Sequence, residues 1–154
     1  MRIMAIDYGD AHTGIAISDP TGLLAGFTTT ITAYSQEQVA ERIAALAIER
    51  EVEELVLGYP KNMDGSCGPR AEKTEALADL LRSVVSLPVT LWDERRTTIN
   101  AHQILRSNGK NGKSAKKRKE FVDAVAASLI LEGYLTYRRQ QISSSEQSEK
   151  IEES

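Results

Sequence analysis

Cysteine is almost absent from this chain. Of 154 residues only Cys67 carries a thiol, so no disulfide can close within it, and a reducing compartment, the cytoplasm, is expected. Histidine is nearly as scarce. His12 and His102, with one cysteine, supply too few donors for a zinc cluster. No uninterrupted apolar run approaches the roughly 18 residues that cross a bilayer. The amino terminus also lacks the long apolar core and small-residue cleavage site of a secretory signal. With 41% hydrophobic and 27% charged residues the composition is that of a soluble globular protein, and the length suits one domain with a sizeable core, not two.

The chain also has little net charge, formally −3, and that small number hides a strong polarity. Residues 141–154, QISSSEQSEKIEES, hold four glutamates against one lysine, so the preceding body is formally neutral. Within that body Arg106, Lys110, Lys113, Lys116, Lys117, Arg118 and Lys119 follow one another with no acid before Glu120. Such a run is either a solvated loop or an electrostatic footprint for phosphates.

Apolar periodicity divides the rest. Residues 2–7 and 13–18 read as strands joined by a polar turn, and 24–32, with Phe27 and the TTTIT run, as a third. From the N-cap Ser35, Val39, Ile43, Leu46 and Ala47 recur at helical spacing to about Arg50. ELVLGY, 54–59, is a buried strand ended by Pro60. After a loop with the turn signals Asp64-Gly65 and Gly68-Pro69, a second helix carries Ala76, Leu77, Leu80 and Leu81 on one face. VTLWDE, 89–94, is a fifth strand. A third helix opens at Thr97 or Thr98, the basic loop follows, and a strongly apolar helix covers about 120–139. The Ser/Glu/Gln tail has too little apolar surface to offset its ordering entropy and is expected to be disordered. The order β-β-β-α-β-α-β-α-α predicts an α/β fold with a mixed five-stranded sheet flanked by helices, strands 1, 4 and 5 being parallel.

Three acidic positions break this apolar pattern: Asp7 at the end of strand 1, Asp93 and Glu94 at the end of strand 5, and Asp123 in the apolar stretch EFVDAVAASLIL. A carboxylate among buried residues costs several kcal/mol (about) unless a cation or hydrogen bonds compensate it. The carboxyl ends of parallel strands gather at one edge, so Asp7 and Glu94 can meet there if strands 1 and 5 lie close, and the last helix would need to deliver Asp123 to the same edge. Such a set suits Mg²⁺ or Mn²⁺, and two ions would support in-line attack of water on a phosphodiester. Each acid has a plainer use: Asp7 in its turn, Asp93 as a cap or partner of Arg95, Asp123 as a helix cap. Asp93 and Glu94 alternate faces, so only one readily points at a metal.

DYGDAHTGIAISD (7–19), GYPKNMDGSCGP (58–69), WDERRTTINA (92–101) and KRKEFVDAVAASLILEGYL (117–135) together resemble the YqgF family, also called RuvX. The resemblance covers residues 1 to about 138 and implies an RNase H-like fold related to the RuvC resolvase. On that basis residues 1–140 are an RNase H-like nuclease domain and 141–154 an acidic tail. It further implies a cytoplasmic nuclease that helps to mature the 5′ end of pre-16S rRNA, with Asp7, Glu94 and Asp123 as the acidic metal-binding triad for Mg²⁺ or Mn²⁺. Gly9, Gly58 to Pro60, Asp64, Gly65, Ser66, Arg95 and Thr98 match other motif positions. One position departs: five residues after the first aspartate, where the family pattern usually has arginine, stands His12, a weaker and pH-dependent substitute if that arginine contacts the substrate backbone, and otherwise an exposed turn residue.

The expected substrate-binding residues are therefore His12, Arg95, Lys113, Lys116, Lys117, Arg118 and Lys119, and the expected partner is structured RNA, pre-16S rRNA or the precursor of the small ribosomal subunit, handled by a monomer or homodimer. Three alternatives stay open. A resolvase of four-way DNA junctions keeps the chemistry and requires a dimer; a non-catalytic rRNA-binding assembly factor needs no metal; an ATP-binding actin-like module needs two such halves, and the length supplies one.

Overall fold

In the computed structural model, residues 2–19, 25–60, 68–93 and 124–141 are described. Five strands form one sheet: β1 (Ile3–Asp7), β2 (His12–Ser18), β3 (Ala25–Thr32), β4 (Glu54–Tyr59) and β5 (Val89–Asp93). Helix α1 is Gln36–Glu49, α2 is Pro69–Val84, and a helix over the described residues 124–141 is called α3. The expected helix from Thr97 or Thr98, the 106–119 basic segment and residues 142–154 of the tail lie outside the described residues. Helix α3 runs to 141, past the expected end at 139.

The strand order is β3-β2-β1-β4-β5. Strands β1, β4 and β5 are parallel, and β2 and β3 return antiparallel on one side, as the pattern of turns and crossovers predicts. Alternation along the strands sends side chains to two faces. Met4, Ile6, Ile15, Ile17, Leu55 and Leu57 face α1 and α2, whose Val39, Ile43, Leu77 and Leu81 complete the larger core. Ile3, Ala5, Ala16, Val56 and Trp92 face α3, which contributes Ala127, Ile130, Leu131 and Leu135.

The α1 stripe falls where the periodicity puts it, with Ser35 Oγ accepting from Gln38 N–H at the cap. The α2 stripe is rotated. Ala71, Thr74, Leu77, Ala78 and Leu81 are buried, whereas Ala76 is exposed and Leu80 only half-buried, because the helix approaches the core through its small residues.

One charged side chain lies deep in the interface between the sheet and α3. Glu54, 7% exposed, opens β4. Its Oε2 accepts from Arg138 Nη1 at 2.9 Å, and its Oε1 from Tyr134 Oη at 2.5 Å and Thr90 Oγ1 at 3.3 Å. The Arg138 side chain is itself 36% exposed, so solvent screens part of this pair. Burial first, then the hydrogen-bonded Glu54 carboxylate, push the Tyr134 hydroxyl up to about 12. A raised tyrosine favours the protonated form, so its contribution is fully present below the usual value near 10 and is lost as pH rises through 12.

Candidate active site

The carboxyl ends of β1, β4 and β5 form one edge of the sheet. Asp7 ends β1, the central strand, half-buried. By alternation from Ile3 and Ala5 it belongs to the α3 face. Its registered neighbour on β2 is Gly14, and because Ile6 pairs with Leu57, the next position on β4 beside it is Gly58. Both flanking positions thus lack side chains. Trp92, paired with Gly58, is 6% exposed, so it belongs to the core rather than to a free stacking platform. It meets the Tyr134 ring edge-on at 5.7 Å.

Helix α3 runs antiparallel to β1. Its Tyr134 and Arg138 sit at the Glu54 end of the sheet, opposite Ile3. From 134 back to 124 is roughly 15 Å of helix, comparable with the roughly 13 Å of strand from Ile3 to Asp7. The amino-terminal end of the described α3 therefore lies toward the carboxyl end of the sheet. Asp123, the next residue back along the chain, lies outside the described residues, as do Glu94, Arg95, Lys113, Lys116, Lys117, Arg118 and Lys119, and Asp64, Gly65, Ser66, Cys67 and Thr98. Among the described residues no three His, Cys, Asp or Glu side chains converge, Asp7 being the only triad member there.

Asp93 is described, and its face differs from that of Asp7. It pairs with Tyr59, on the side of Leu57 and Leu91 that turns to α1 and α2, and the Tyr59 hydroxyl donates to Glu75 of α2.

The turn leaving Asp7 is tight. A Cβ on Gly9 would lie 2.3 Å from the His12 carbonyl oxygen, far inside contact distance, so only glycine fits this approach of backbone to backbone. His12 opens β2 one residue earlier than the alternation predicts, because it pairs with Thr32. Its Nδ1 lies 3.3 Å from Thr32 Oγ1, and it shares the face of Gly14 and Ala16, hence of Asp7. The substitution at this motif position thus leaves an imidazole at the same end of the sheet as Asp7.

Sequence reasoning passed over two cations on the other side of the turn. Arg70 and Lys73, in the first turns of α2, line a small cleft with Tyr8, Gly9 and Asp10, and Lys73 Nζ pairs with Asp10 at 3.2 Å. Their position directly after Pro69, at a helix start where the dipole favours anions, was the available signal. The Glu54 cluster was also missed, although a carboxylate opening a buried strand is as anomalous as one closing it.

The RuvX family model, described as Holliday junction resolvase, matches residues 1–137. A protein of Halothermothrix orenii is 48% identical over 138 residues, 90% of this chain and 96% of its own length, and one of Listeria innocua is 46% identical over 137, covering 88% and 97%. Both are provisionally named pre-16S rRNA nuclease. Among solved structures, Thermus thermophilus RuvC in complex with a Holliday junction substrate superposes with a TM-score of 0.57 at 11% identity, covering 89% of this chain and 96% of that one. This last likeness concerns the fold, which is that of the RuvC-like, RNase H-type nucleases. With the family model spanning almost the whole chain and relatives nearly half identical over the same residues, the chain belongs to the RuvX family.

Proposed function

We propose that this protein is a metal-dependent nuclease that hydrolyses phosphodiester bonds in structured RNA, acting in the cytoplasm on the 5′ end of pre-16S rRNA or on the precursor of the small ribosomal subunit. The observation that carries the reading is the placement of Asp7: a carboxylate at the carboxyl end of the central parallel strand, flanked on its face by Gly14 and Gly58. A hard oxygen donor between two strand positions that carry no side chain fits Mg²⁺ or Mn²⁺. Family membership, and the names its relatives carry, support the substrate.

Asp7, Glu94 and Asp123 hold the metal. Glu94 is taken rather than Asp93 because Asp93 lies on the face turned from Asp7. Bound there, the ions supply charge stabilisation at the phosphate and a more acidic water. The chain's own residues orient the substrate: His12 from the face of Asp7, and Arg95, Lys113, Lys116, Lys117, Arg118 and Lys119 as neutralising contacts along the backbone, whose loss would flatten the salt dependence of binding.

The test is cleavage of a precursor-16S fragment with Mg²⁺ or Mn²⁺. Asp7→Asn should lower the rate by about a thousandfold, the counterpart of the several kcal/mol a metal supplies, with RNA binding and the melting temperature retained. Equal rates in the two proteins would remove Asp7 from the chemistry. The fold shared with a junction-bound RuvC favours one second reading, resolution of four-way DNA junctions. Matched RNA and junction substrates, with sedimentation at working concentration, separate the two: paired symmetric cuts by a dimer would select the junction.

A further inference from the structure

We propose that Glu54, with Tyr134, Arg138 and Thr90, is a positioning cluster that sets how far along the sheet α3 sits, and so where Asp123 meets Asp7; the proposal rests on the metal-site reading above. The described contacts of α3 divide into two kinds. Ala127, Ile130, Leu131 and Leu135 pack on Ile3, Ala5, Val56 and Trp92 through apolar surface, whose attraction has no preferred direction, and the Trp92 ring meets those of Tyr134 and Tyr137 at 5.7 and 5.4 Å. The bonds to Glu54 are directional. Arg138 holds one carboxylate oxygen and Tyr134 the other, one helical turn apart, while Thr90 ties the second oxygen to β5. A slip of one turn would carry every α3 residue about 5.4 Å, whereas Mg²⁺ requires its oxygens at roughly 2.0–2.1 Å.

The cluster lies about ten helical residues from the start of α3, at the amino end of β4, so it touches neither metal nor substrate in this reading. An apolar contact in its place would be at least as stabilising as a buried ion pair. Fixing a register is what directional bonds add.

The experiment measures Mn²⁺ affinity of the full chain by paramagnetic resonance, with melting temperature and cleavage rate at saturating Mn²⁺ as companions. Glu54→Gln should weaken Mn²⁺ binding about tenfold, in the range known for groups that orient metal ligands, at temperatures well below its melting transition. Saturating Mn²⁺ should restore most of the rate. In an Asp123→Asn background the same substitution should have no further effect on Mn²⁺ affinity, because the cluster acts through that residue. If Glu54→Gln fails to fold, Arg138→Met makes the same test, with Glu54 kept and its bond to Tyr134 intact. A variant that melts earlier yet binds Mn²⁺ as the parent does, or one whose loss adds to that of Asp123→Asn, would overturn the positioning role while leaving the metal site standing. Should Asp123→Asn itself leave Mn²⁺ binding unchanged, the metal-site reading falls and the positioning role falls with it.

Discussion

The two ends of the central strands are built on opposite plans. At the amino end polar groups are fastened to named partners: Glu54 takes three donors from two elements, and the buried Ser18 hydroxyl accepts from Ile3 N–H at 2.8 Å. At the carboxyl end the strand positions on either side of Asp7 are glycines, and its turn closes by backbone contact at Gly9. The crowded end fixes the frame. The open end, with no side chain at either strand position beside Asp7, still holds its backbone closely at Gly9.

Gly9 offers the largest break in that contrast. In Gly9→Ala the new Cβ would need the His12 carbonyl to give way by more than an ångström, and backbone cannot yield as a flexible side chain does. Overpacking of this kind costs about 1–3 kcal/mol, and the displaced turn begins one residue beyond Asp7. Denaturant unfolding should show that loss, and cleavage of the precursor fragment should fall with it. Native stability together with native rate would mean that the open end has slack.

How the sequence discloses these two ends differs for a physical reason. Asp7 is legible because a charge interrupting an apolar run is a local anomaly, and the parallel arrangement of β1, β4 and β5 follows from the crossover helices between them. Glu54 is not legible as a cluster, since its partners stand 36, 80 and 84 residues away and meet it only when the sheet and α3 pack. The inward face of α2 was misread at Ala76 because Ala71, Thr74 and Ala78, which touch the core, carry weak hydrophobic signal. The face that Asp93 takes is read from its pairing with Tyr59, and no pattern along one strand contains that.

A smaller effect tests the fastened end. In Ser18→Ala the buried Ile3 N–H loses the hydroxyl it donates to, and an unsatisfied buried donor costs about 1–3 kcal/mol. The expected outcome is a lower unfolding free energy with an unchanged cleavage rate, because Asp7 is four residues along the strand and its neighbours Gly14 and Gly58 are untouched. A rate that fell in proportion to stability would show that the two ends are not separable.

The smallest change acts at the same end and should improve it. Helix α1 closes with Glu51 at a φ of 56°, the left-handed region, while Glu51 N–H donates to the Ile48 carbonyl and Val52 N–H to that of Ala47. That pair of bonds is the helix-ending arrangement in which glycine usually occupies the left-handed position. A side chain there costs about 1–2 kcal/mol, partly offset in a glycine variant by the greater entropy glycine loses on folding. The Arg2 ion pair adds little, at 3.8 Å with the Glu51 side chain 85% exposed. Glu51→Gly should therefore raise the unfolding free energy by about 0.5–1 kcal/mol, read as a higher denaturant midpoint at constant slope. Cleavage should stay at the parent rate, since the gain lies at the end that fastens the frame; a destabilised variant would mean that Glu51 holds more of the amino end than its exposed ion pair suggests.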